Sequence, residues 1–185
     1  MEEAVEICKL RLFLKLAAQV DPDTFQPNFG IEPLPDIDFN IRAGNTLVGF
    51  TTLEQIKKAI TTEKKGQATQ KRLLDQDDLD TMKRIEEKAQ DIDRLFALFR
   101  QQQTELGGEV TTADKQELKK RLRVLEEELN RYLASEYGIG QHNFKSKQLY
   151  EKKFSEWLTS HKPFHWFIEF HAIMKAGGFD IIIGN

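Results

Sequence analysis

Two runs of apolar residues, each stepping alternately by three and four, constrain this chain more than any other feature. Met82, Ile85, Ala89, Ile92, Phe96 and Phe99 form the first, and Leu118, Leu122, Leu125, Leu129 and Tyr132 the second. That spacing lays one apolar stripe along each of two helices, the seam of a coiled coil. Gly107-Gly108 lies between the runs, and Thr111 or Thr112 with Asp114 offers the second an N-cap and a first-turn acid. The pattern predicts an antiparallel helical hairpin turning near Gly107, with arms of about 25 residues, roughly 35–40 Å each.

Helix formers dominate a wider region around the hairpin, and residues 52–160 contain no proline. Residues 137–144, with Gly138 and Gly140, read as a loop. Residues 146–160 read as a further helix carrying Leu149, Tyr150, Phe154, Trp157 and Leu158. Beyond Pro163, an aromatic cluster of Phe164, Trp166, Phe167 and Phe170 begins a short helix that ends at Gly177-Gly178. Toward the other end, residues 2–19 predict a helix whose wide apolar surface needs cover on most sides. Asp21-Pro22 ends it. A connection with Pro22, Pro27, Pro33 and Pro35 then leads to Phe39, Ile41 and Ala43, which alternate with polar neighbours as a short strand ending at Gly44-Asn45.

The last residues, Phe179-Asp180-Ile181-Ile182-Ile183-Gly184-Asn185, read as a buried strand that stops at its own tip. A strand apolar on both faces belongs inside a sheet, so a piece of a longer protein is expected. The order helix, short strand, long helical excursion, buried strand describes a slice of a parallel α/β sheet with an insertion between its strands. The expected fold class is therefore mainly α: a coiled-coil-like helical hairpin inserted between two short strands of an α/β sheet.

Composition narrows the function classes less sharply. The formal net charge is -3 over 185 residues, so no basic excess steers the chain toward phosphate. The densest basic patch, Lys119-Lys120-Arg121 with Arg123, is followed by Glu126-Glu127-Glu128. Such a run is ordinarily a solvated helix face, and contact with a DNA backbone is the functional alternative. Cys8 is the only cysteine; among Ile7, Leu10 and Leu12 it reads as a buried structural thiol in a reducing cytoplasm. No apolar stretch approaches the roughly 20 residues of a membrane helix. Pro163 interrupts the spacing of His161 and His165, and the neighbours of His171 are mostly apolar or aromatic, so no metal site is predicted.

Three stretches, taken in order, resemble the amino-group DNA methyltransferases, in the adenine-specific branch of type IIG restriction–modification and phage-defence enzymes. Residues 177–185 resemble the approach to that family's Asn-Pro-Pro-aromatic motif, with Asn185 as its first residue. Residues 34–49 resemble the strand before it, ending in a Gly-Asn-Thr-Leu tip, and residues 2–12 are similar to the helix after the acid that holds the cofactor ribose. Phe164-His165-Trp166-Phe167-Ile168-Glu169-Phe170 also fits this branch, whereas no stretch of the hairpin is matched to a motif of the family.

The resemblance implies a Rossmann-like fold and a methyl transfer from S-adenosylmethionine to adenine N6 in double-stranded DNA. It implies that Asn185 accepts an N–H of the target amino group and that the flipped base is stacked on an aromatic residue. Asn45 stands where relatives hydrogen-bond the cofactor adenine, and an Asn amide offers both donor and acceptor for this. Residues 1–50 and 161–185 would belong to the methyltransferase core and residues 51–160 to the inserted hairpin and following helix. The isolated chain, lacking the rest of the motif and the cofactor loop, is expected to be inactive, to bind the cofactor weakly or not at all, and to self-associate through its exposed sheet pieces. The competing readings are a non-catalytic coiled-coil interaction module and a helical arm of another nucleic-acid enzyme.

Overall fold

The stripe of α3, Gln76–Glu105, meets the stripe of α4, Thr112–Glu136, as their spacing requires. Ile85, Ala89 and Ile92 of α3 are buried, as are Leu118, Leu122, Leu125, Leu129 and Leu133 of α4. Each large side chain withdrawn from water in this way contributes about 1.5–3 kcal/mol. Arg84 and Lys88 both reach Glu128, the latter at 2.9 Å. Further along α3, Lys88, Asp91 and Ile92 line a groove with Glu117, Lys120, Arg121 and Val124 of α4. Rising numbers on one helix therefore face falling numbers on the other, which makes the pair antiparallel. The second stripe closes on Leu133 instead of Tyr132, which is half-buried.

The chain is mainly α in this computed structural model, which describes residues 2–26, 29, 40–65, 68–71, 76–105 and 112–184. The remaining helices are α1 (Glu2–Ala17), α2 (Leu53–Thr61), α5 (Lys147–His161), α6 (Trp166–Glu169) and α7 (His171–Lys175). The expected turn at Gly107, the Thr111 cap, Pro27, Pro33, Pro35, Phe39 and Asn185 lie outside the described residues. No helix among the described residues is long and apolar enough to cross a membrane.

The chain divides into two units. One comprises Met1–Gly44 with Ala97–Lys115, the other Asn45–Phe96 with Gln116–Asn185. In the first, α1 forms as predicted but is not covered: Ile7, Leu10, Phe13 and Leu14 are each about half exposed. Cys8 is exposed as well, so the expectation of a buried thiol is corrected. An apolar neighbourhood along one helix does not bury a residue unless another element packs onto that helix.

Three segments differ from the sequence reading. A two-stranded antiparallel ribbon, β1 (Thr62–Lys65) and β2 (Ala68–Lys71), pairs Thr62 with Lys71 and Lys65 with Ala68. Its sequence signal was a two-residue Gly66-Gln67 interval between short Thr-containing runs, hidden within a helix-rich composition. Conversely, neither residues 40–44 nor residues 179–184 form a strand, so both expected strands are absent from the described residues. A strand exists only where a neighbour supplies the ladder, and Ile181, Ile182 and Ile183 stand 78%, 77% and 92% exposed.

Local chemistry sets the remaining boundaries. Thr52 and Gln55 reproduce a capping box at α2: the Gln55 backbone N–H reaches the Thr52 hydroxyl at 3.3 Å, and the Gln55 side chain accepts from the Thr51 N–H at 2.7 Å. Ser146 caps α5 by accepting from the Leu149 N–H at 3.2 Å. Tyr150, Phe154 and Trp157 are the buried face of α5. Arg131 of α4 lies 4.7 Å from the Phe154 ring centre and donates to the Tyr150 hydroxyl and the Glu151 carboxylate, tying the two helices together.

Candidate functional site

Residues 45–50 and 162–167 run side by side and are joined by five hydrogen bonds into a clasp. The Asn45 N–H donates to the Lys162 carbonyl at 2.7 Å, the Phe164 N–H to the Val48 carbonyl at 2.7 Å, and the Phe167 N–H to the Phe50 carbonyl at 3.0 Å. The Trp166 indole N–H donates to the Thr46 carbonyl at 3.1 Å. Asn45 and Pro163 form a parallel bridge. Lys162 ends α5 in a left-handed conformation, φ 45° and ψ 59°, and so turns the chain back along the first segment. Gly49 is the point of closest approach: a Cβ there would lie 2.0 Å from the Phe164 carbonyl oxygen.

The fifth bond of the clasp belongs to His165, which is 1% exposed. Its Nδ1 accepts the Phe50 N–H at 3.0 Å, and its Nε2 lies 3.0 Å from Oδ1 of Asn130, itself buried in α4. An accepting Nδ1 and a donating Nε2 define one neutral tautomer. The ring also stacks on Phe50 at 5.2 Å between centres. Burial lowers its pKa to about 4.

That shift has a definite consequence for stability. Unfolded, the ring takes a proton near its ordinary 6.5; folded, it resists until about 4. Its neutral burial therefore carries no pH penalty above 6.5. Between these values only the unfolded chain binds the extra proton, so stability falls by about 1.4 kcal/mol per pH unit, about 3 kcal/mol in all. Urea unfolding between pH 7 and 4 is expected to show this slope in excess of that of a His165→Asn variant. Equal slopes in the two proteins would refute it.

Around the clasp, Phe164, Trp166, Phe170 and Phe179 form a ring cluster with centres 5.0–6.3 Å apart. Gly177 and Gly178, at φ 112° and 102°, turn the chain after α7 so that Phe179 joins this cluster. His171 bonds Asp93 of α3, and His161 bonds the Trp157 carbonyl at 3.2 Å. The three histidines are thus engaged separately. Among the described residues no group of side chains could hold a metal ion.

The candidate residues fall in separate places. Asn45 sits half-buried at the start of the clasp, where its side-chain oxygen accepts the Leu47 N–H at 3.2 Å. That bond fixes the carboxamide, leaves its NH2 as a donor and leaves the oxygen a second lone pair. Lys119, Lys120, Arg121 and Arg123 are all exposed on α4. Lys119, Lys120 and Arg123 line a shallow groove with Gln116, Val124 and Glu127. Arg121 turns away to Glu117 at 2.8 Å, and this hydrogen bond draws the Glu117 carboxyl below the ordinary range. Sequence reasoning weighed His165 only as a metal ligand and passed over Asn130, whose polar side chain beside Leu129 was the available signal.

The match to the Eco57I restriction-modification methylase family model runs over residues 1–185, and the chain belongs to that family. A Methanocaldococcus jannaschii protein named as a type II restriction enzyme and methyltransferase is 29% identical over 208 residues. That alignment covers 98% of this chain, which spans 17% of the relative's length. No solved structure matches.

Proposed function

We propose that this chain belongs to a DNA methyltransferase that uses S-adenosylmethionine to methylate adenine N6 within a restriction–modification system. The observation that carries the reading is the clasp. An insertion in a host domain must leave and rejoin it at neighbouring points. Residues 45–50 and 162–167 lie side by side as such points would, and the family match spans both. On this reading residues 1–50 and 161–185 belong to the methylase core, and residues 51–160 are the insertion. A non-catalytic coiled-coil module accounts for the hairpin but not for a family match through both flanks.

The cofactor supplies the methyl group. Asn45 would hold its adenine edge, and Asn185 would accept an N–H of the target amino group, turning the nitrogen lone pair toward the methyl. The exposed α1 and the isoleucine run favour self-association of the isolated chain; a monomer in sedimentation would argue against it.

The test is methylation of duplex DNA by the protein that carries this chain, with labelled cofactor and mass analysis of the nucleosides. N6-methyladenine is expected, and label in cytosine would exclude the adenine assignment. The groove of Lys119, Lys120 and Arg123, with Arg121, is the proposed DNA-backbone contact. Reversing the charge of Lys119, Lys120 and Arg121 together is expected to weaken DNA binding roughly tenfold or more and to flatten its salt dependence by about two to three in log–log slope. An unchanged slope would remove the hairpin from the DNA interface.

A further inference from the structure

We propose that His165 is a positioning residue for the Asn45 tip, and that its two ring nitrogens have separable duties. The proposal rests on the cofactor role assigned to Asn45. The Asn45 carboxamide makes no described contact with His165; the link runs through the backbone. Nδ1 holds the Phe50 N–H, five residues along, and with the backbone bonds of the Phe164 and Phe167 N–H groups to the Val48 and Phe50 carbonyls it ties the far end of the tip to residues 162–167. Nε2 holds Asn130 of α4, which keeps Nδ1 unprotonated and therefore able to accept. The near end is already fixed, by the Asn45 N–H on the Lys162 carbonyl and by the Leu47 N–H on the Asn45 side chain. Between the two ends stands Gly49, at φ 155° with no side chain to stiffen it, and among the described residues the imidazole is the side chain that anchors Phe50 by a hydrogen bond.

Two amide substitutions separate the duties. In His165→Asn the side-chain oxygen falls near the position of Nδ1 and can still accept the Phe50 N–H. In His165→Gln the longer arm reaches toward Asn130 and gives up the Phe50 bond. The protein carrying this chain is compared as wild type and as both variants by cofactor calorimetry without DNA, by kcat at saturating cofactor and by hydrogen exchange at the Phe50 amide. His165→Gln is expected to lose Phe50 protection and to raise the cofactor Kd and KM about tenfold, the worth of one buried hydrogen bond, with kcat within about twofold. His165→Asn is expected to keep protection and affinity within about threefold of wild type.

Both variants weakening alike, in step with lost thermal stability, overturns the proposal, and so does wild-type affinity in His165→Gln. If both variants unfold, Asn130→Leu provides the measurement. It leaves both partners of the Phe50 bond in place but frees the tautomer, so Nδ1 accepts only part of the time, and it is expected to raise the cofactor Kd severalfold; an unchanged Kd overturns the proposal. Asn45→Ala distinguishes the two levels of inference. Unchanged cofactor affinity there removes the Asn45 assignment and this proposal with it, whereas a normal loss there beside indistinguishable His165 variants removes the His165 proposal alone.

Discussion

Replacing Asn185 by alanine in the protein that carries this chain is expected to lower kcat for methyl transfer by about a thousandfold, with cofactor affinity within about twofold. The adenine amino group is a poor nucleophile because its lone pair is delocalised into the ring. An acceptor for one N–H draws the nitrogen toward tetrahedral geometry, and this interaction strengthens only as the bond to the methyl forms. Its loss therefore falls on kcat and not on cofactor binding. Single-turnover methylation with saturating DNA and cofactor measures it. A fall of less than about tenfold would remove the catalytic assignment of Asn185.

The second large effect concerns Gly49. An alanine Cβ at this position would lie 2.0 Å from the Phe164 carbonyl oxygen and 2.6 Å from its carbon, both backbone atoms that cannot rotate away. The clasp must open to admit it. Gly49→Ala is expected to cost about 3 kcal/mol and to lower Tm by roughly 6–12 °C. Gly138 is the internal control. It also has positive φ, at 80°, but nothing lies within 4 Å of an added Cβ, so alanine there meets backbone strain alone, about 1 kcal/mol. Equal melting temperatures for the two variants would show that the clasp does not hold the unit together.

The helices were legible because their signals are local. The three-and-four stepping of Ile85, Ala89 and Ile92 against Leu118, Leu122, Leu125 and Leu129 states both period and partner. Ser146 and Pro163 bracket α5 in the same way. What failed was burial that depends on a second element. Cys8 and the isoleucines at 181–183 have apolar neighbours in sequence but no packing partner among the described residues, so neither the thiol nor the strand is enclosed. The clasp was half legible. Gly44-Asn45 and the aromatic run after Pro163 each stood out, yet nothing in either segment says that it pairs with the other. Asn130 illustrates the limit well: a polar residue beside a leucine seam looks like a surface position until His165 arrives to meet it.

The clasp also dictates an order of events. Helices α3, α4 and α5 form from contacts close in sequence, but the Phe50–His165 bond joins residues 115 apart. Closing so large a loop costs conformational entropy, so the clasp is expected to form after the helical arm has shortened the path between its two halves, an order that pulse-labelled hydrogen exchange would check. In that order the arm would be the scaffold on which the Asn45 tip matures. Nascent chain emerging during synthesis would hold residues 45–50 unlatched until residue 167 has been made.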